Sequence, residues 1–209
     1  NGARMTRHEK TIAWAREHLG QHEEPMGSNT GTFVRECQAA TDLPGTGWPW
    51  CAAFARRAWQ VAGLEVPYRG ASAWGLLGYY QQNLPKWVVR PIAAKPGAFV
   101  VFTTGAGHVA LLAKPIQAGD STVTTIGGNE SDSVKESVRP LTVVKGIVDP
   151  PEKTTPANVP PAASLKVFEV ATSESGHRTL IYTSGANAIS RKLGRILNRH
   201  GGITITRRK

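Results

Sequence analysis

Apolar positions recur at helical spacing over residues 6–19, where Ile12, Ala15 and Leu19 share a face and Gly20 ends the run. Pro25, Gly27, Asn29 and Gly31 then crowd one short stretch, which predicts a loop. A second helix is expected around 31–40, with Phe33, Val34 and Cys37 on its buried side. The Gly-rich link Pro44-Gly-Thr-Gly47 leads to Ala52-Ala-Phe-Ala-Arg-Arg-Ala-Trp59, a run of good helix formers that Gly63 stops. Trp74, Leu77 and Tyr80 predict another short helix before Pro85.

After residue 85 the period changes. Residues 98–103, 108–113 and 121–126 are apolar or β-branched runs separated by Gly, Pro and Asp, and 134–138 and 141–148 add two more. Helices first and strands afterwards predict an α+β fold, with N-terminal helices packed on one side of an antiparallel sheet. Residues 149–164 hold five prolines and little to bury, which predicts an extended linker. Beyond it, 165–171 and 179–182 suggest a hairpin, 187–200 a helix, and 203–206 a last strand. The expected organisation is a domain over 6–148, a Pro-rich linker over 149–164 and a small α/β appendage over 165–209. Asn1 to Arg4, ahead of Met5, read as an upstream remnant outside the fold.

Composition sharpens this outline. Forty per cent hydrophobic residues and six tryptophans among 209 residues supply a packed core. No apolar run reaches the length of a bilayer span, and no signal segment is recognised at the start. Two cysteines, Cys37 and Cys51, do not make a disulfide scaffold, and both are expected reduced, with Cys37 in the core. The net charge of +10 is uneven: residues 1–148 carry 15 Lys and Arg against 11 Asp and Glu, whereas 165–209 carry nine against two. Such a field attracts polyanions such as nucleic acid, anionic lipid or anionic wall polymers. Arg191, Arg195 and Arg199 line up on the expected last helix, but no aromatic stacking platform accompanies them, which weighs against a specific nucleic-acid site.

Cys51 is the candidate for chemistry. Pro49 interrupts any preceding helix, so Cys51 falls in the first turn of the next one, where free backbone N–H groups favour an anion. A thiolate is stabilised there, although most free cysteines are simply small buried hydrophobes. A cysteine nucleophile needs a base and a group that orients the base. His108 opens an apolar strand after Gly105-Ala-Gly107, and Asn129 follows the next strand in Gly127-Gly128-Asn129. Antiparallel neighbours bring the start of one strand near the end of the next, so the two side chains are expected together. An Asn carbonyl on one imidazole nitrogen would leave the other facing the sulfur.

At these residues the chain resembles the CHAP family of papain-like cysteine peptidases, which comprises peptidoglycan hydrolases, many of them phage endolysins. Trp50-Cys-Ala-Ala-Phe54, Pro96-Gly-Ala-Phe-Val-Val-Phe102, Gly107-His-Val-Ala-Leu111 and Gly127-Gly-Asn-Glu-Ser131 carry the resemblance, as does the stretch from Leu19-Gly20 through Glu24-Pro25 to Gly27-Ser28-Asn29. It covers about residues 6–148 and implies a papain-like CHAP fold, with Cys51 as nucleophile, His108 as base and Asn129 as orienter. It implies cleavage of an amide bond of bacterial peptidoglycan by an amidase or endopeptidase, leading to lysis, by a monomer made in the host cytoplasm and acting on the wall.

Two departures from the family pattern bear on the site. Gly127 stands where members often have an acid two positions before the Asn, so the triad closes on Asn129 alone or with help from Glu130; Asn129 is favoured. Asp42 is the one acidic residue in the loop where some members bind calcium, so neither metal nor other cofactor is expected. Trp48, Trp50 and Trp74 are candidate walls of the substrate cleft, with core packing the alternative for each. The basic tail is expected to anchor on anionic wall or membrane polymers. The competing readings are a catalytically silent wall-binding module and a protein that binds nucleic acid through its tail.

Overall fold

A computed structural model describes residues 5–152 and the backbone of three strands between 167 and 207. These fall into two compact units. The first opens with α1 (Arg7–Glu17), set by a capping box: the Thr6 hydroxyl accepts from the Glu9 N–H while the Glu9 carboxylate accepts from the Thr6 N–H. Next come α2 (Thr32–Gln38), α3 (Cys51–Val61) and α4 (Ala73–Asn83), which Ser72 caps by accepting from the Gly75 N–H. Six strands follow: β1 (Val88–Val89), β2 (Phe99–Phe102), β3 (His108–Leu112), β4 (Thr122–Gly127), β5 (Lys135–Pro140) and β6 (Val144–Val148). The fold is the expected α+β one, four helices on a six-stranded antiparallel sheet, consistent with a papain-like CHAP fold.

The sheet order is β1-β6-β2-β3-β4-β5, so the last strand inserts between the first two and β5 forms an edge. Phe99, Val101, Val109, Leu111 and Ile126 face the helices, while Val100, Phe102, Ala110, Leu112 and Val123 build a second cluster on the other face. Burial on both sides explains why β2 and most of β3 read as unbroken apolar runs rather than alternating ones. β5 alternates instead: Ser137 and Arg139 share its half-buried face and Val138 lies exposed between them.

α3 is the central helix. Its Ala52, Ala53, Ala55 and Ala58 are buried, and these short side chains let the helix axis approach the sheet closely. At its far end Trp59 stacks on Phe99 of β2 and donates from Nε1 to the Gly97 carbonyl at 2.7 Å. Arg56, also buried, donates to the carbonyls of Ala40, Val66 and Tyr68 and so fixes the loops on either side of the helix. Among the described residues no helix is long and apolar enough to cross a membrane.

The second unit contains β7 (Val167–Thr172), β8 (Arg178–Tyr182) and β9 (Ile203–Arg207). β7 and β8 pair antiparallel, and β9 runs parallel to β8 with Arg178 opposite Ile203. The expected helix over 187–200, its arginine stripe, and the linker beyond residue 152 lie outside the described residues. Asp149, assigned to the linker from sequence, is buried in the first unit, because its carboxylate takes hydrogen bonds from His8 and the Lys95 N–H.

Candidate active site

Cys51 is the first residue of α3, with Trp50 as its N-cap in a non-helical conformation and no side chain capping the turn. The backbone N–H groups of that turn are therefore free to face the sulfur. Both cysteines are free, but their surroundings differ. Burial pushes the Cys37 thiol up to about 12, which leaves it inert. Burial also pushes Cys51 up, but a hydrogen bond with His108, the imidazolium charge and backbone hydrogen bonds with Val109 and Ala52 outweigh it, and its pKa is lowered.

His108 opens β3, where pairing with Phe102 of β2 fixes its backbone. Its Nε2 lies 2.9 Å from Glu130 Oε1, which leaves Nδ1 for the Cys51 sulfur. Burial pulls the imidazole down, yet the bonds to Cys51 and Glu130 more than reverse this and raise it to about 9. Glu130 is buried, which pushes its carboxyl up, but His108, Arg139 and Ser137 bring it down to about 2. The thiol, the imidazole and the carboxylate thus stand in series, backed by the Arg139 guanidinium.

The side chain that contacts the His108 imidazole is that of Glu130, and not that of Asn129, where sequence placed it. Asn129 adopts a left-handed conformation at φ 58°, and Ser131 and Asp132 do the same at 49° and 62°. The chain leaves the strand geometry at Asn129, and the side chain of the next residue is the one brought to the imidazole. Asn129 faces α3 and the loop before α2 instead. Its Nδ2 donates to Asn29 Oδ1 (2.9 Å); with the amide turned over, Oδ1 accepts from the Trp50 N–H (3.2 Å) and Nδ2 donates to Glu23 Oε1 (3.3 Å). Glu23 is buried there and accepts from Trp50 Nε1 (2.8 Å) and the Asn29 N–H (2.6 Å), tying the N-terminus of α3 to that loop.

Gly127 explains why Glu130 fits. A Cβ at position 127 would lie 2.6 Å from Glu130 Oε1, so the carboxylate occupies space that any side chain there would fill. Gly128 is constrained from the other side: a Cβ there would meet Trp50 at 2.5 Å and Phe54 at 2.6 Å, so the chain runs flush against α3.

The sulfur and the imidazole open into a cleft of about 430 Å³, lined by Pro49, the loop Thr104–Gly107, Asn129 to Ser131 and Arg139. None of the three candidate tryptophans lines it. Trp50 is fully buried, stands edge-on to Phe33 and Phe54, and has its N–H committed to Glu23; it is core, not a substrate wall. Trp48 is half-buried, packs against the core and donates to the Gly45 carbonyl at 3.2 Å. Trp74 is 44% exposed, lies against the Gly107 backbone beside the cleft loop and carries Lys145 5.3 Å above its ring. Asp42, in the loop considered for calcium, receives two hydrogen bonds from Arg69 Nε, at 2.7 and 2.6 Å.

Sequence reasoning overlooked Ser137 and Arg139. The available signal was their i, i+2 spacing on an edge strand shortly after the acid they hold. Residues 43–129 match the family model of the CHAP domain, a cysteine peptidase and amidase domain. The match contains Cys51 and His108 and ends on Asn129, so Glu130, Ser137 and Arg139 lie beyond it. No curated protein and no solved structure matches the chain.

Proposed function

We propose, taking the CHAP-domain match as premise, that this chain is a cysteine-dependent hydrolase of peptidoglycan amide bonds, of the lytic endolysin type. The observation that carries the reading is the hydrogen-bonded series Cys51–His108–Glu130 at the floor of an open cleft. A lowered thiol beside a raised imidazole is the charge distribution an activated cysteine nucleophile needs.

In the proposed reaction the Cys51 thiolate attacks the carbonyl carbon of the scissile amide. Backbone N–H groups at the start of α3, that of Cys51 included, stabilise the oxyanion. The imidazolium of His108 gives its Nδ1 proton to the departing amine, the C–N bond breaks, and an acyl thioester remains. Neutral His108 then takes a proton from water as the water oxygen attacks the thioester, and the carboxylic acid product leaves as the thiolate re-forms beside the imidazolium. Glu130 keeps the ring oriented and its charge balanced throughout. In this reading Trp74, exposed beside the cleft loop, stacks on an apolar sugar face outside the reacting centre.

Purified cell walls incubated with the protein should release new amines, and mass spectrometry of the fragments identifies the bond. Cys51→Ala and His108→Ala should each reduce that release by at least ~100-fold. Undiminished release by either variant would end the mechanism.

A further inference from the structure

We infer that Arg139 is a positioning residue for this site, holding Glu130 in the one rotamer that meets His108; the inference rests on the hydrolase reading above. Both oxygens of Glu130 are engaged, and on opposite sides. Oε1 takes the imidazole at 2.9 Å, while Oε2 accepts from the Ser137 hydroxyl at 2.8 Å and from Arg139 Nη2. Glu130 itself stands between two left-handed residues, Asn129 and Ser131, outside any strand. Its three side-chain torsions have no regular backbone to restrict them. The restraint comes from β5, whose Ser137 and Arg139 share a face and whose pairing with β4 places Ser137 opposite Thr125.

Phe102 sets the spacing of this clamp. Its ring lies beside the His108 ring with centroids 6.0 Å apart, and the Arg139 guanidinium sits 5.0 Å from its centroid. The cation thus packs on the same aromatic residue that supports the base. The reaction has a step that needs this arrangement. Once His108 has given its proton to the leaving amine, Glu130 faces a neutral ring and is left as a buried negative charge. Arg139 keeps it ionised at that moment, so Glu130 goes on accepting from the Nε2–H and Nδ1 is left as the ring nitrogen that takes the next proton, from water. The flat, two-pronged guanidinium fits this role, since it reaches the carboxylate with Nη2 while Nη1 approaches Thr125 Oγ1 at 3.5 Å.

The test has two arms, the first of which reads the thiol directly and needs no peptidoglycan. Cys51 alkylation by iodoacetamide, a neutral reagent insensitive to the charge of residue 139, is followed by mass spectrometry as a function of pH. It is compared between the native protein, Arg139→Ala and Arg139→Lys. Arg139→Ala should move the acid limb of the alkylation profile up by about one pH unit, because Glu130 then protonates earlier and releases the imidazole. On walls its turnover should fall about 10- to 100-fold with KM nearly unchanged, and Arg139→Lys should recover part of both effects.

A profile and turnover in Arg139→Ala that superimpose on the native protein overturn the inference. If Arg139→Ala fails to fold, Arg139→Lys decides: a smaller shift in the same direction supports the clamp, and no shift overturns it. A native protein whose Cys51 titrates like an ordinary thiol would instead overturn the hydrolase reading on which the clamp rests.

Discussion

Glu130 meets His108 because four neighbours allow it: a left-handed Asn129 turns the chain, Gly127 leaves the space, and Arg139 with Ser137 holds the far oxygen. The charge of Glu130 is one of the causes that hold His108 at about 9. Glu130→Gln keeps the shape and removes the charge. The imidazolium then loses its proton at lower pH, so the alkaline limb of the pH–rate profile should move down from near 9 toward the ordinary imidazole value of about 6.5. In the same variant kcat/KM should fall by about 100-fold. Asn129→Gly, which accepts the left-handed backbone and removes only the side chain, should stay within about tenfold of native. A larger loss in Asn129→Gly than in Glu130→Gln would return the orienting role to Asn129. From sequence, the series Cys–His–acceptor was legible but its third member was not, because which of two adjacent side chains faces the ring depends on a backbone torsion at residue 129.

Between elements, the N-terminal helix is joined to the end of the sheet by a part-buried cluster that the sequence did not announce. His8 of α1 has both ring nitrogens in carboxylate contacts, Nε2 with Asp149 at 2.6 Å and Nδ1 with Glu152 at 2.7 Å. Burial lowers the imidazole, but these contacts outweigh it and its pKa is raised. A raised imidazole contributes stability that is fully present below its unfolded value of about 6.5 and is lost as pH rises through the folded value. Glu152 is pushed up by burial but brought down overall by the Arg7 N–H and His8. Its contribution is therefore present above the unfolded value of about 4.3 and lost as pH falls through the folded one. Both hold fully only between these limits. Urea midpoints of the native protein and His8→Gln should accordingly differ most near pH 5 to 6 and converge as pH rises above the folded imidazole value. A gap that does not depend on pH would show that His8 acts by packing alone.

For the whole molecule, charge is divided unequally along the chain, and most of the basic excess lies in residues 165–209. The proposed hydrolase has a substrate polymer that carries anionic groups, so the tail is proposed to hold the enzyme on the wall while the first unit cleaves. A protein ending at residue 164 should sediment less with purified walls at low salt, and the difference should shrink in 0.5 M NaCl, as screening requires. Its release of amines from soluble wall fragments should equal that of the full chain. Equal sedimentation of the two proteins at low salt would remove the anchoring role.

The sequence by itself determined the class of the fold and the placement of Cys51 at a helix start and His108 at a strand start. Helical spacing before residue 85 and apolar runs after it reflect local backbone periodicity, and a Pro-preceded cysteine at a helix start and a histidine at a strand start are likewise local placements. Tertiary structure decided what depends on residues distant in the chain. It buried Trp50 on Glu23 instead of exposing it to substrate, and it inserted β6 between β1 and β2. It also turned Asn129 away and brought Arg139 and Ser137 from an edge strand onto Glu130. Each of these outcomes is a choice among partners competing for the same space or the same hydrogen bond, and only the packed molecule resolves that competition.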